Sequence, residues 1–97
     1  MVWGEWWEYS LSIIALETES LGVYELGDES KDTVYYGKGK IKTRLLDHLN
    51  KRECPSARYY RFELFTTEAE CEAKERELLE DYKRIHGTLP IYNEKTG

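Results

Sequence analysis

The stretch VYYGKGKIKTRLLDHLN (residues 34–50) carries three signals in succession. An apolar and aromatic run ends in Tyr35-Tyr36-Gly37. Gly37 and Gly39 then alternate with Lys38 and Lys40. Beyond them Ile41, Leu45, Leu46 and Leu49 recur at helical spacing to about Asn50. The reading is a strand that Gly37 and Gly39 terminate, leaving backbone room for another group, and then a helix. Arg44 and His48 lie four residues apart and so share one face of that helix.

Working outward, LGVYEL (residues 21–26) reads as a strand, and GDESKD (residues 27–32) is dense in turn formers. With residues 33–37 as the return strand, the segment is a β-hairpin with a six-residue loop. KRECPS (residues 51–56) breaks the helix. ARYYRFELF (residues 57–65) alternates and is rich in aromatics, so it reads as a third strand. Thr67 followed by Glu70 is a capping box opening a long helix that runs to about His86, where Gly87 and Pro90 stop it. LPIYN (residues 89–93) is expected to pack back as a short extended segment. Residues 11–18 read as a short helix, and residues 94–97 as a tail.

The chain has 97 residues, enough for one domain with one modest core. No apolar run approaches the roughly 20 residues of a membrane span. LSIIAL (residues 11–16) is too short for one and has no basic flank that would make it a signal peptide. Cys54 and Cys71 make neither a disulfide framework nor a zinc set, and read as reduced thiols of a cytoplasmic protein. The net charge of −5 is unevenly spread. Residues 38–61 hold eight basic and two acidic side chains, a local +6 that leaves −11 on the rest. Such a segment suits a local polyanion site; it equally suits a solvated face paired with the acidic helix.

Several residues keep two readings. Trp3, Trp6, Trp7 and Tyr9 are either aromatic core closing one end of the domain or a stacking platform for bases. Tyr24 and Tyr35 are either plain strand aromatics or site residues. In the long helix Cys71, Leu78, Tyr82 and Ile85 form one stripe, and Glu75 lies on it. A carboxylate turned to a core needs a partner, a metal or water; Arg44 or Arg61 could pair with it. Arg44 is either a snorkelling side chain or a fork suited to two phosphate oxygens. His48 is either a satisfied helix histidine or an acid–base group.

Taken together, the ordered set resembles the GIY-YIG nuclease superfamily. Gly22-Val23-Tyr24 stands for the first tripeptide and Tyr35-Tyr36-Gly37 for the second, with ten residues between Tyr24 and Tyr35. Arg44, His48, Glu75 and the closing Pro90 and Asn93 follow in the order of that superfamily. The middle residues, Val23 and Tyr36, depart from isoleucine. Glu72 and Glu77 are rivals to Glu75, which the stripe favours. The resemblance spans residues 20–94, leaving residues 1–19 as an aromatic-rich extension of a single domain over 1–97 that packs on the sheet or covers an edge.

The resemblance implies an α/β (α+β) fold with a central three-stranded antiparallel sheet flanked by helices. It implies a metal-dependent endonuclease cutting phosphodiester bonds, in DNA by preference over RNA. One divalent cation, Mg²⁺ or Mn²⁺, would be held by Glu75. Tyr24, Tyr35, Arg44, His48 and Glu75 would form the catalytic set. Lys38, Lys40, Lys42 and Arg61 would hold the nucleic-acid backbone, and Gly22, Gly37 and Asn93 would support the site. The alternative is an inactive GIY-YIG-like module that binds nucleic acid or protein. Its support is the net acidity and the small size, which leaves specificity to a partner protein.

Overall fold

The computed structural model describes residues 4–93. Trp3 and the tail over 94–97 lie outside the described residues. The elements are β1 (Trp7–Glu8), α1 (Leu11–Ile14), β2 (Leu21–Gly27), β3 (Thr33–Lys40), α2 (Ile41–Lys51), β4 (Tyr59–Leu64) and α3 (Glu68–His86).

The β2–β3 hairpin forms the centre. Its loop is built by Asp28, whose carboxylate accepts from the backbone N–H of Ser30 and Asp32 at 2.9 and 3.0 Å. The antiparallel register sets Tyr24 opposite Gly37 and Glu25 opposite Tyr36. β4 pairs with the other edge of β2, and the two-residue β1 pairs with β4, so the order is β1-β4-β2-β3. The central three strands are those the sequence pattern suggests. The fourth is β1, which covers the outer edge of β4.

Strand alternation sends neighbouring side chains to opposite faces. Tyr24 points to α2, where its hydroxyl meets His48. Tyr36, paired with Glu25, points the other way and contacts Tyr82 of α3 edge-to-face at 6.4 Å. The sheet is therefore sandwiched between α2 and α3. On the α2 side Ile14, Tyr24, Leu26, Ile41, Leu45 and Tyr60 form the heart of the core. α2 contributes Ile41, Leu45 and His48, an i, i+4, i+7 stripe.

α3 starts as its sequence dictates. The Thr67 side chain accepts from Glu70 N, the Glu70 side chain accepts from Thr67 N, and Gly87 ends the helix at φ 81°. Its apolar stripe is weaker than the spacing suggests. Cys71 is buried, whereas Ile85 is 67% exposed.

Four further expectations need correction. β3 continues through Gly37 and Gly39 to Lys40, because both glycines still pair with β2. α1 is a single turn rather than a helix to Thr18. Residues 91–93 form a turn, not an extended segment. Of the described N-terminal aromatics Tyr9 packs against the core, whereas Trp7 is 47% exposed and the Trp6 ring carries the Arg61 guanidinium at 4.2 Å.

That arginine belongs to a buried ion pair. Glu25 is 2% exposed; its Oε1 accepts from Arg61 Nε at 2.6 Å, and its Oε2 accepts from the Thr33 hydroxyl. A carboxylate so buried is retained because both oxygens are satisfied.

Candidate functional site

β3 is the open edge of the sheet, and the side chains of interest gather around it. Tyr24 comes from β2 and Tyr35 from β3, on the same face, with ring centroids 6.2 Å apart. α2 follows β3 directly and brings His48 over both rings, with centroids 5.7 and 4.8 Å away. The Tyr24 hydroxyl lies 2.6 Å from His48 Nε2. Both residues are buried, His48 at 4% exposure.

The glycines explain how the groups come so close. A Cβ at Gly37 would collide with the ring and hydroxyl of Tyr24. Gly39 has φ 129° and faces Arg44, whose Cγ would lie 2.9 Å from a Cβ there. The alternation of lysine and glycine thus reflects space needed by Tyr24 and by the stem of Arg44. Gly22 pairs with Gly39 farther along the same ladder, backed by Ile41.

Arg44 is half exposed, with a loose contact of 3.9 Å to Asp47. Its charge acts on the tyrosines. Burial pushes the Tyr24 hydroxyl well above its ordinary pKa, and Arg44 pulls it back. Tyr35 is raised in the same way, with Arg44 opposing and Glu75 adding to the rise. At rest both tyrosines are neutral phenols. Burial is also the chief influence on His48 and lowers its pKa, so its imidazole is neutral near pH 7.

Glu75 reaches this edge from α3 on the opposite face. It is half-buried, and burial raises its pKa, while Lys38 and Arg44 lower it. No ion pair or hydrogen bond holds it among the described residues, so neither Arg44 nor Arg61 neutralises it within 4 Å. It borders a cavity of about 400 Å³ shared with Lys38, Glu72, Arg76, Lys83 and Leu89. Among its rivals, Glu77 is tied to Lys74 at 3.1 Å and Glu72 is exposed. Among the described residues no group of three or more His, Cys, Asp or Glu could hold a metal by itself.

The remaining candidates fall into two groups. Lys38 stands beside Glu75, whereas Lys40 and Lys42 flank the start of α2 close to Glu19. None of the three is in an ion pair within 4 Å among the described residues. Arg61 is not brought to the cluster. It lies on β4, two strands from β3, in the pair with Glu25. Asn93 braces the edge itself: its Oδ1 accepts from Tyr36 N and its Nδ2 donates to Tyr36 O, both at 2.9 Å. It thus occupies the place of a neighbour strand beyond β3.

One contact has no sequence signal. Glu53 Oε1 lies 2.8 Å from His48 Nδ1, approaching off the axis of the ring nitrogen. Glu53, Tyr35, His48, Arg52, Cys54 and Tyr92 surround a second cavity of about 350 Å³.

Comparison with known proteins agrees with this architecture. The chain is similar to the GIY-YIG N-terminal endonuclease domain of UvrC from Thermotoga maritima bound to its catalytic divalent cation, magnesium. The TM-score is 0.66 at 26% identity, over 84% of this chain and 91% of that one. Two point mutants of the same domain, an asparagine-to-alanine and a tyrosine-to-phenylalanine change, each bound to the catalytic cation, match with the same score and identity over 90% of their length. The fold is therefore GIY-YIG-like. No relative was found among curated proteins. The family described as "Domain of unknown function (DUF7508)" matches residues 4–84, and the chain belongs to that family.

Proposed function

We propose that this chain is a metal-dependent endonuclease that hydrolyses phosphodiester bonds in nucleic acid, with DNA preferred. The observation that carries the reading is the convergence on one strand edge of five groups: Tyr24 joined to His48 at 2.6 Å, Tyr35, Arg44, and the unpaired half-buried Glu75. Hydrolysis needs an activated water, a grip on the phosphate and compensation of the charge that builds on it. Each of these groups suits one need.

A neutral phenol is a poor base, because its proton must leave before it can take another. His48 Nε2 is placed to receive that proton. Tyr24 would take a proton from the attacking water while its own passes to Nε2. The water oxygen bonds to phosphorus, and the bond to the leaving oxygen breaks. Tyr35, on the same face, would orient the water. The Arg44 fork suits two non-bridging oxygens as their charge grows. Lys38, Lys40 and Lys42 would position the backbone without reading sequence.

The residues fit a divalent cation. Glu75 is a carboxylate at a cavity mouth with no ion-pair or hydrogen-bond partner among the described residues, and a single carboxylate suits Mg²⁺, which keeps several waters. When bound, the cation supplies Lewis-acid polarisation and charge neutralisation. Gly22, Gly37 and Asn93 would hold the strand edge in place. Residues 1–97 would act as one domain, with residues 1–19 as an added segment over the sheet edge. Cys54 and Cys71 are buried and not joined in a disulfide, which suits a reducing, cytoplasmic setting, and a partner protein would supply specificity.

The test is cleavage of supercoiled plasmid, a branched DNA and a single-stranded RNA with Mg²⁺ or Mn²⁺ against EDTA. Metal-dependent cutting, greatest on DNA, is expected. A salt-sensitive shift of labelled DNA without any cutting would replace the nuclease reading with a binding module.

A further inference from the structure

His48 is reached from both ends of its ring. Tyr24 holds Nε2 at 2.6 Å, and Glu53 stands 2.8 Å from Nδ1. Glu53 is brought there by the way α2 ends. Arg52 caps the helix in the left-handed region at φ 53°, which turns the chain back on itself. Glu53 N then donates to the His48 carbonyl at 3.2 Å. The backbone thus ties Glu53 to the residue whose ring its side chain approaches. That side chain is 49% exposed, and a small rotation would bring it into line with the ring nitrogen.

A neutral imidazole carries one proton; one nitrogen donates and the other accepts. A carboxylate only accepts. With the proton on Nδ1, Glu53 has a donor to meet, and the Nε2 lone pair faces Tyr24, whose hydroxyl donates. With the proton on Nε2, an Nδ1 lone pair would have a negative oxygen within 2.8 Å of the nitrogen and no donor to offer it, which is repulsive. We infer that Glu53 is a positioning residue that holds His48 in the Nδ1–H form, so that Nε2 is free to accept the Tyr24 proton. Glu53 touches no reacting atom. The logic is that of a carboxylate fixing the tautomer of a histidine base. The catalytic half of this inference rests on the nuclease reading above; the tautomer half does not.

The titratable and charged groups around His48 are Tyr24 from β2, Tyr35 from β3, Arg44 and Asp47 from α2 itself, and Glu53 from the turn after it, with Tyr9, Arg52, Cys54 and Tyr92 lining the cavities beside its ring. Burial is the main influence and lowers the imidazole pKa; Glu53 works against it, Arg44 with it, and Asp47 against it.

The experiment pairs nitrogen NMR of the free protein, labelled at histidine, with cleavage kinetics. Glu53→Ala removes the acceptor, and Glu53→Gln keeps an acceptor without the charge. The parent is expected as the Nδ1–H tautomer, and Glu53→Ala as a mixture with Nε2–H. For cleavage, Glu53→Ala is expected to lower kcat about tenfold with KM within about twofold. This falls short of the roughly 10²–10⁴-fold worth of a whole general base. Glu53→Gln is expected to recover part of kcat and to move the acid limb of the pH profile to lower pH. An Nε2–H parent would overturn the inference. So would Glu53→Ala with unchanged tautomer and kcat. A parent that cuts nothing, with its tautomer still set by Glu53, would overturn the nuclease reading while supporting Glu53 as the group that fixes His48.

Discussion

Replacing Tyr24 by phenylalanine keeps the ring and removes one oxygen. The ring still fills the space opposite Gly37, so no cavity opens. What changes is His48 Nε2, which loses its hydrogen bond inside a residue only 4% exposed. A buried polar atom stripped of its partner costs about 1–3 kcal/mol. At about 4–8 °C per kcal/mol for a domain of this size, Tm should fall by at least ~4 °C. Tyr35 offers the control. It is half-buried and its hydroxyl makes no hydrogen bond with a described residue, so Tyr35→Phe should stay within about 0.5 kcal/mol of the parent. Thermal unfolding followed by circular dichroism measures both. In the cleavage assay Tyr24→Phe should lose about 10²–10⁴-fold in kcat, the worth of a general base. A Tyr24→Phe protein as stable and as active as the parent would refute both the hydrogen bond and the proton path.

Other outcomes follow from the same geometry. In EDTA at pH 7 Glu75→Gln should melt above the parent, because burial opposes the charge that the substitution removes. Mg²⁺ at ten times Kd should then stabilise the parent alone, by about 1.4 kcal/mol, and raise its Tm accordingly. Arg61→Ala should cost about 3 kcal/mol in a denaturant titration, since it leaves the Glu25 carboxylate buried without its cation. His48 has a lowered pKa in the folded state, so between that value and about 6.5 the unfolded chain binds more protons. Its contribution is present above pH ~6.5 and is lost as pH falls through that window. The stability advantage of the parent over His48→Gln should therefore shrink between pH 7 and 5.5 in thermal melts.

The fold was legible where local chemistry decides structure. Alternating apolar residues and an Asp-rich turn specify the β2–β3 hairpin. The Thr67–Glu70 box and Gly87 delimit α3, and Ile41, Leu45 and His48 orient α2. Sequence reasoning failed where a distant side chain decides. Gly37 and Gly39 look like strand terminators, yet they are small because Tyr24 and Arg44 fill the space above them. β1 has two residues, too few for a pattern, and forms because Tyr59 and Tyr60 offer it an edge. The Glu25–Arg61 pair spans 36 positions and could not be told from surface charge. The order of Tyr24, Tyr35, Arg44, His48 and Glu75 was readable from the chain. Their meeting at one edge was implied by the resemblance alone; no local pattern shows it, because Glu75 comes from the opposite face. Glu53 gave no signal at all, since its approach to His48 depends on the left-handed turn at Arg52.

The most direct test of the central claim is plasmid and branched-DNA cleavage by the parent and by Glu75→Ala, run side by side with Mg²⁺ and with EDTA. The account predicts cutting by the parent that needs the metal and vanishes in the variant while both remain folded. Cutting that survives in Glu75→Ala, or a folded parent that cuts neither substrate, would contradict it.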